Sequence, residues 1–291
     1  MIELVEVSPR DGLQNEPKVL DVETRVELIE RAIRAGARRL EVASFVRADA
    51  VPQMAGAETV IAALRPGAAR YIGLVLNKRG ALRALETQVD EIGFVCVASD
   101  SFGMRNQRQT GDQSLANACD VLDLARREGR DAHAMVAVAW GCPFEGPTPP
   151  DRVVDMARAL ADAGSLEIGL ADTIGIARPG EVESLTRRVV EAVGGLPVRV
   201  HLHDTRGMGV ANALAAVRGG ATVIDAAIGG TGGCPFAPGA AGNLATEDFA
   251  YAMNGGLDLD IDSVIDTAKW LNHALSRDRM SAMVRASTSA C

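Results

Sequence analysis

Apolar and polar residues follow one another along this chain in a repeating order. A short β-branched or apolar run comes first, then a turn or loop, then in most cases a longer amphipathic stretch. The short runs are Ile2–Val7, Arg39–Phe45, Tyr71–Leu76, Glu91–Ala98, Ala134–Trp140, Leu166–Thr173, Val198–Thr205 and Val223–Gly230. They recur roughly every 30 residues, about the length of one strand–helix unit. Between them, Val22–Ala35, Ser114–Arg127, Asp151–Ala163 and Glu181–Val193 carry apolar residues at helical spacing, with Glu27, Arg31 and Arg34 as polar points on the first. Asp21 predicts a cap for that helix and Gly36 its end; Pro150–Asp151 opens another that Gly164 ends. Ile261–Leu275 predicts an additional C-terminal helix. Eight strand–helix units without a linker or inserted domain predict an α/β fold, with residues 1–291 forming a single (β/α)8 TIM barrel. The rival is an open, doubly wound sheet. A barrel makes a demand: chemistry belongs at the C-terminal ends of strands and in the loops after them.

Composition narrows the function. The 291 residues are 47% hydrophobic, enough for one large core. A formal net charge of −8 argues against nucleic acid and against a basic membrane-binding face, though not against an anionic substrate met by local positive charge. Apolar runs are strand-sized, and Met1–Gly12 has acids where a signal peptide needs a positive region, so the cytoplasm is the expected compartment. Five cysteines without short metal-ligand spacing predict no disulfide framework there.

Polar residues stand out where the barrel demands them. His201-Leu202-His203-Asp204-Thr205 ends the seventh run, and strand alternation puts both imidazoles on one face. They are either a pair of metal ligands or two hydrogen-bonded histidines in a polar barrel mouth. Ser8-Pro9-Arg10-Asp11-Gly12 follows the first run. In a closed barrel the first and seventh strands are separated only by the eighth, so Asp11 can join the histidines, with Arg10 beside it for a developing oxyanion. Read locally, Pro-Arg-Asp-Gly is also ordinary turn chemistry. After the eighth run, Gly229–Asn243 holds six glycines in fifteen residues, which suits a mobile flap or close approach to a ligand. Cys234 within it is either inert filler or a proton donor or nucleophile. Asn243 either completes a metal sphere or caps the helix starting near Thr246-Glu247. Glu41 and Asp172 are acids inside apolar strands, costly unless paired. Arg10 is the expected partner of Glu41, and Asp172 is either a site residue or a strand-end acid in solvent. His133 and His273 are assigned no site role. The glycine run is not a dinucleotide fingerprint, since no helix follows it at once, and no phosphate-binding P-loop is present.

Together these segments resemble the 3-hydroxy-3-methylglutaryl-CoA lyase family, metal-dependent barrel lyases with an Arg-Asp motif after the first strand. The likeness is carried by Val5–Glu16, by His201–Thr205 and by Gly232-Gly233-Cys234-Pro235 through Gly242–Asp248. Val51–Met54, Gly141–Gly146 and Asp172–Gly175 add to it, so it spans most of the chain. The resemblance implies that Asp11, His201, His203 and Asn243 bind Mg²⁺ or Mn²⁺, with no organic cofactor. It implies that Arg10 stabilises a thioester enolate while Glu41 holds Arg10. Gln14 and Asp172 would lie against substrate, and Cys234 would handle a proton at the acetyl-CoA product. The implied reaction is retro-Claisen cleavage of an acyl-CoA, with Asp11 or His201 as base, in an enzyme that is a homodimer with neither nucleic-acid nor membrane partners. Departures fall at the barrel mouth. Arg206-Gly207-Met208 stands where Tyr-Gly-Gln is common, and Leu76-Asn77-Lys78-Arg79-Gly80 where Pro-Asn-Xaa-Lys-Gly is usual. They bear on the acyl group accepted, and leave open a related 3-hydroxyacyl-CoA, or an aldolase or Claisen synthase reaction on the same scaffold. Lys78, Arg79, Arg105 and Arg108 either meet CoA phosphates or form a solvated rim.

Overall fold

Eight parallel strands pair edge to edge until the sheet meets itself. The computed structural model describes residues 2–233, 242–278 and 280–288. The barrel strands are β1 (Glu3–Glu6), β2 (Arg39–Ser44), β3 (Arg70–Val75), β4 (Glu91–Val97) and β5 (Asp131–Ala137). A two-stranded antiparallel hairpin, β6 (Gly141–Cys142) and β7 (Gly146–Pro147), follows β5. Then come β8 (Ile168–Asp172), β9 (Val198–Leu202) and β10 (Val223–Ala226). β10 pairs with β1, with Val5 opposite Asp225, and this closes the ring. The open doubly wound alternative is thereby excluded.

The outer helices form where periodicity and end signals agree. α1 (Val22–Arg34) starts at Asp21, whose carboxylate accepts from the Thr24 amide at 2.8 Å, and Gly36 follows its end at φ +110°. Its inner face buries Leu28, Ile29 and Ala32, and each larger aliphatic contributes about 1.5–3 kcal/mol by leaving water. α5 (Gly111–Arg127) carries a capping box between Thr110 and Gln113. α6 (Pro150–Asp162) and α7 (Pro179–Ala192) open on prolines. α10 (Ile261–Leu275) has the limits that its apolar spacing predicts, and packs against α1. A further helix, α11 (Ala282–Thr288), follows it, and the short helices α2 (Ala57–Ala63), α3 (Lys78–Leu85), α4 (Asp100–Asn106), α8 (Gly209–Arg218) and α9 (Thr246–Ala252) complete the series among the described residues. Most of these hold only two turns, too few for a 3.6-residue period to declare itself.

Three barrel strands depart from the sequence pattern by three residues or more. The fifth strand starts three residues earlier and ends at Ala137, because Val138 takes φ +53° and turns the chain out of the sheet. The seventh ends at Leu202 and the eighth at Ala226. Beyond them the chain pairs with the segment after the glycine-rich loop: Leu244 N–H donates to Leu202 O at 2.9 Å, and Asp204 N–H to Gly242 O at 2.9 Å. An isolated bridge then sets His203 opposite Asn243.

The lower interior of the barrel is charged. Arg39 donates to Glu91 at 3.0 Å and to Glu167 at 2.7 Å, all three buried. Barrel interiors are usually filled by branched apolar side chains, and buried charge is tolerated only when paired. A cavity of about 290 Å³ at this N-terminal end is lined by these residues, Glu3, Arg70, Asp131 and His133. Its charged groups are engaged with one another, which marks it as a structural floor.

Candidate active site

The C-terminal ends of the strands surround a cavity of about 230 Å³. Arg10, Asp11, Gln14, His201, His203 and Gly233 line one side of it; Leu74, Leu76, Val95, Phe102, Met135 and Ala137 line another.

Asp11 sits in one wide helical turn, Ser8–Gly12, in which the Gly12 amide reaches back to Val7 O at 3.1 Å. The buried carboxylate of Glu6 anchors this turn. It accepts from Ser8 N–H at 2.8 Å, from Ile228 N–H at 3.0 Å and from the Thr246 hydroxyl at 2.7 Å. The loop bearing Asp11 is therefore tied to both ends of the glycine-rich segment. Arg10 points to Glu41 with Nε and Nη2, in close contacts, and donates from Nη1 to Asp11 at 2.7 Å. Arg10 and Glu41 are both buried.

His201 and His203 project from one face of β9 and its extension, with ring centroids 5.1 Å apart. Asp11, His201 and His203 each offer a ligand atom, all within 4.8 Å of one another. The Nδ1 of His201 lies 3.0 Å from Asp225. Burial alone would raise the Asp225 carboxyl, but Arg199 and His201 hold it below its ordinary range. An ionised carboxylate only accepts, so Nδ1 carries a proton toward Asp225, and Nε2 faces Asp11 Oδ2 at 3.8 Å. Burial lowers His201, but the Asp225 bond and the charges of Asp11 and Asp225 outweigh it and raise the imidazole above its ordinary value. Burial, then the neighbouring His201, pushes His203 down to about 4, so it is a neutral imidazole. Burial would likewise raise Asp11, yet Arg10 and the two imidazoles hold it well below the usual carboxylate range.

Asn243 donates from Nδ2 to Asp11 at 2.8 Å and to Thr231 O at 2.9 Å. It is not the cap of the following helix, whose N-cap is Ala245 without a side-chain bond. Its Oδ1 and one nitrogen of His203 are buried without hydrogen-bond partners. Orphaned acceptors of this kind call for an electropositive partner. Inside the barrel, Arg10, Arg39 and Arg199 face the carboxylates of Asp11, Glu41, Glu91, Glu167 and Asp225. A divalent cation would balance the excess of two negative charges among these eight groups. The donor set of one carboxylate, two imidazoles and an amide oxygen fits Mg²⁺ or Mn²⁺.

Gly232 explains part of the glycine run. It adopts φ +99°, and a β-carbon there would stand 2.7 Å from Asn243 Nδ2 and 3.2 Å from Asp11 O. Gly233 lines the cavity and its carbonyl accepts from Asn15 at 2.7 Å. Cys234 lies outside the described residues. Gln14 Oε1 is buried at the cavity without a partner.

Asp172 is not among the residues lining the cavity. It is buried, and its carboxylate accepts from the Ile176 and Ala177 amides at 3.0 Å each, bracing the loop after β8. At 1% exposed, Asp172 is not a strand-end acid in solvent. Arg206 holds the same loop through Gly175 O at 2.8 Å. Lys78, Arg79, Arg105 and Arg108 lie outside the cavity lining. Arg79 borders a neighbouring cleft with Arg47 and Arg83 that shares Val46 with the cavity, and Arg105 stacks 3.8 Å over Phe144. His133 belongs to the charged floor, 3.1 Å from Arg199, and His273 is exposed. Sequence reasoning missed Glu6, Arg199 and Asp225. Asp225 carried the signal that singled out Glu41, an acid inside an apolar strand, and Arg199 shares alternation with His201 and His203.

The closed parallel barrel sets a carboxylate, two imidazoles and a held guanidinium at its C-terminal mouth, a group that could hold a metal ion, and likeness to known enzymes makes its class a carbon–carbon lyase. The chain belongs to the HMGL-like family, whose model matches residues 1–274. It is 40% identical to the (R)-citramalyl-CoA lyase of Chloroflexus aurantiacus, over 95% of this chain and 92% of that one. It is 36% identical to a cytoplasmic 3-hydroxy-3-methylglutaryl-CoA lyase of Mus musculus, over 99% of this chain and 85% of that one. Among solved structures, an HMG-CoA lyase from Acinetobacter baumannii in complex with coenzyme A and 3-methylmalate superposes with a TM-score of 0.94. It is 35% identical, with 100% of this chain and 97% of that one covered. Among the described residues, no helix is long and apolar enough to cross a membrane.

Proposed function

We propose that the chain cleaves the C2–C3 bond of 3-hydroxy-3-methylglutaryl-CoA, giving acetyl-CoA and acetoacetate. The observation that carries this reading is the meeting of Asp11, His201 and His203, with Arg10 held beside them by Glu41. Asp11, His201, His203 and Asn243 would hold Mg²⁺ or Mn²⁺, which would supply Lewis-acid polarisation of substrate oxygens. Asp11 accepts the hydroxyl proton, because both nitrogens of His201 are committed, Nδ1 to Asp225 and Nε2 to the metal-facing side. As C2–C3 breaks, the hydroxyl carbon becomes a ketone and the electron pair moves to C2 and the thioester oxygen. Arg10 donates to that oxygen, and its buried ion pair keeps the guanidinium in place before charge develops. Cys234, on the loop that Gly233 leads into, returns a proton to C2. Gln14 orients the acyl group, and Asp172 acts on it through the loop that it braces. Arg79, with Arg47 and Arg83 in the cleft that shares Val46 with the cavity, is the proposed contact for CoA phosphates. Likeness to the mouse enzyme supports a cytoplasmic location, and a homodimer is the proposed assembly.

A second reading is favoured by the apolar wall and by the Chloroflexus relative. Among the described cavity-lining residues, Arg10 is the one guanidinium, and it is committed to Glu41 and Asp11. A citramalyl-type substrate carries its carboxylate on the hydroxyl carbon, beside the triad, and presents only a methyl group to Leu74, Leu76 and Met135. Its cleavage gives acetyl-CoA and pyruvate. A coupled acetyl-CoA release assay with both thioesters and longer-chain analogues, with Mg²⁺ and with Mn²⁺, tests both readings. The larger kcat/KM names the substrate, and no release from any of them rejects the proposal.

A further inference from the structure

We propose that Arg199 is a positioning residue that sets the geometry of both halves of this site at once; the inference rests on the lyase reading above. Arg199, His201 and His203 alternate on one strand, so the guanidinium lies directly beneath the imidazoles. It is 1% exposed, in a layer where apolar side chains are the rule. Its Nε donates to Asp225 Oδ1, and the other oxygen of that carboxylate meets His201 Nδ1. Its Nη2 stands 3.8 Å from Glu41 Oε2, and the other oxygen of Glu41 takes the contact from Arg10. Asp225 thus gives one oxygen to Arg199 and one to His201 by hydrogen bonds, while Glu41 gives one oxygen to Arg10 and turns the other toward Arg199 as an ion-pair neighbour beyond hydrogen-bond reach. The two paths run to opposite requirements, the metal-facing nitrogen of His201 and the oxyanion-facing donors of Arg10.

The guanidinium is itself fixed from below. Nη1 lies 3.1 Å from His133 Nε2 and 3.7 Å from Glu167. A planar fork held on several sides orients the carboxylates that share it, and a flexible ammonium does not reproduce that fork. Residues behind a metal ligand typically carry a 10–100-fold effect on metal affinity or activity.

The test is Arg199→Lys, read by calorimetric titration with Mn²⁺ and by kcat and KM on the acyl-CoA that the intact enzyme cleaves. The expected result is a folded protein whose Mn²⁺ Kd rises about tenfold or more, and whose kcat falls more than its KM rises. A purely structural residue would lower the thermal midpoint while leaving the Kd of the folded fraction and the turnover per bound Mn²⁺ unchanged. A folded Arg199→Lys with Kd and kcat within about twofold of wild type overturns the proposal. If that variant does not fold, Asp225→Asn reads the same path, because Arg199 and His201 meet different oxygens of Asp225 and an amide puts an oxygen at only one of the two positions. An unchanged Mn²⁺ Kd in Asp225→Asn overturns the proposal equally. A wild-type protein that takes up no Mn²⁺ overturns the metal site itself, and this inference with it.

Discussion

Glu247 offers a stability measurement separate from the chemistry. Its side chain is fully buried, and both oxygens accept from the Gly229 amide, at 3.1 and 3.2 Å. Burial pushes its carboxyl up to about 7 from the ordinary 4.5; the bonds from Ser281 and Gly229 oppose this, and Asp248 adds to it. The unfolded chain therefore ionises this group first as pH rises. Below the ordinary value both states hold the proton, and nothing is lost. Between 4.5 and about 7 the folded state holds more protons, so stability falls with rising pH and stays low above that window. At about 1.4 kcal/mol per pH unit the loss amounts to ~3 kcal/mol. Urea unfolding of wild type and Glu247→Gln at about pH 4 and about pH 8 isolates it, because other titrating groups cancel in the difference. The glutamine variant should gain ~3 kcal/mol relative to wild type on going to the higher pH. Parallel pH profiles would refute the reasoning.

Other consequences concern the site. Gly232→Ala should weaken Mn²⁺ binding about tenfold or more while the barrel stays folded, because the new methyl displaces Asn243; unchanged affinity in calorimetry would count against that packing. Cys234→Ala should keep metal affinity and lower turnover by roughly 10²–10⁴, and wild-type turnover would remove the thiol from the reaction. Arg10→Gln should lower kcat by about 10²–10³ with a smaller change in KM, as expected for a donor that acts on developing charge. A change confined to KM would reassign Arg10 to substrate binding.

The barrel was legible because a closed parallel sheet imposes one apolar run per unit, and all eight runs hold a strand. Strand ends were less legible. At the seventh and eighth strands, pairing with the segment around Gly242–Leu244 decides where the barrel stops, and that partner is distant in sequence. The triad of Asp11, His201 and His203 was legible because barrel topology alone brings the first and seventh strands close. Arg199 and Asp225 were passed over because each is a lone charge in an apolar run, and only the register between β9 and β10 shows that they neutralise each other. The partners of Asp172 were not legible, because backbone amides leave no mark in a sequence.

The central claim is that one divalent ion joins Asp11 to the two imidazoles. Crystals grown with Mn²⁺ and measured at the manganese absorption edge would test it directly. The account predicts one strong anomalous peak within bonding distance of Asp11, His201, His203 and Asn243, and loss of acyl-CoA cleavage when the ion is removed by chelation. A peak elsewhere, or none, together with full cleavage after rigorous chelation, would contradict it.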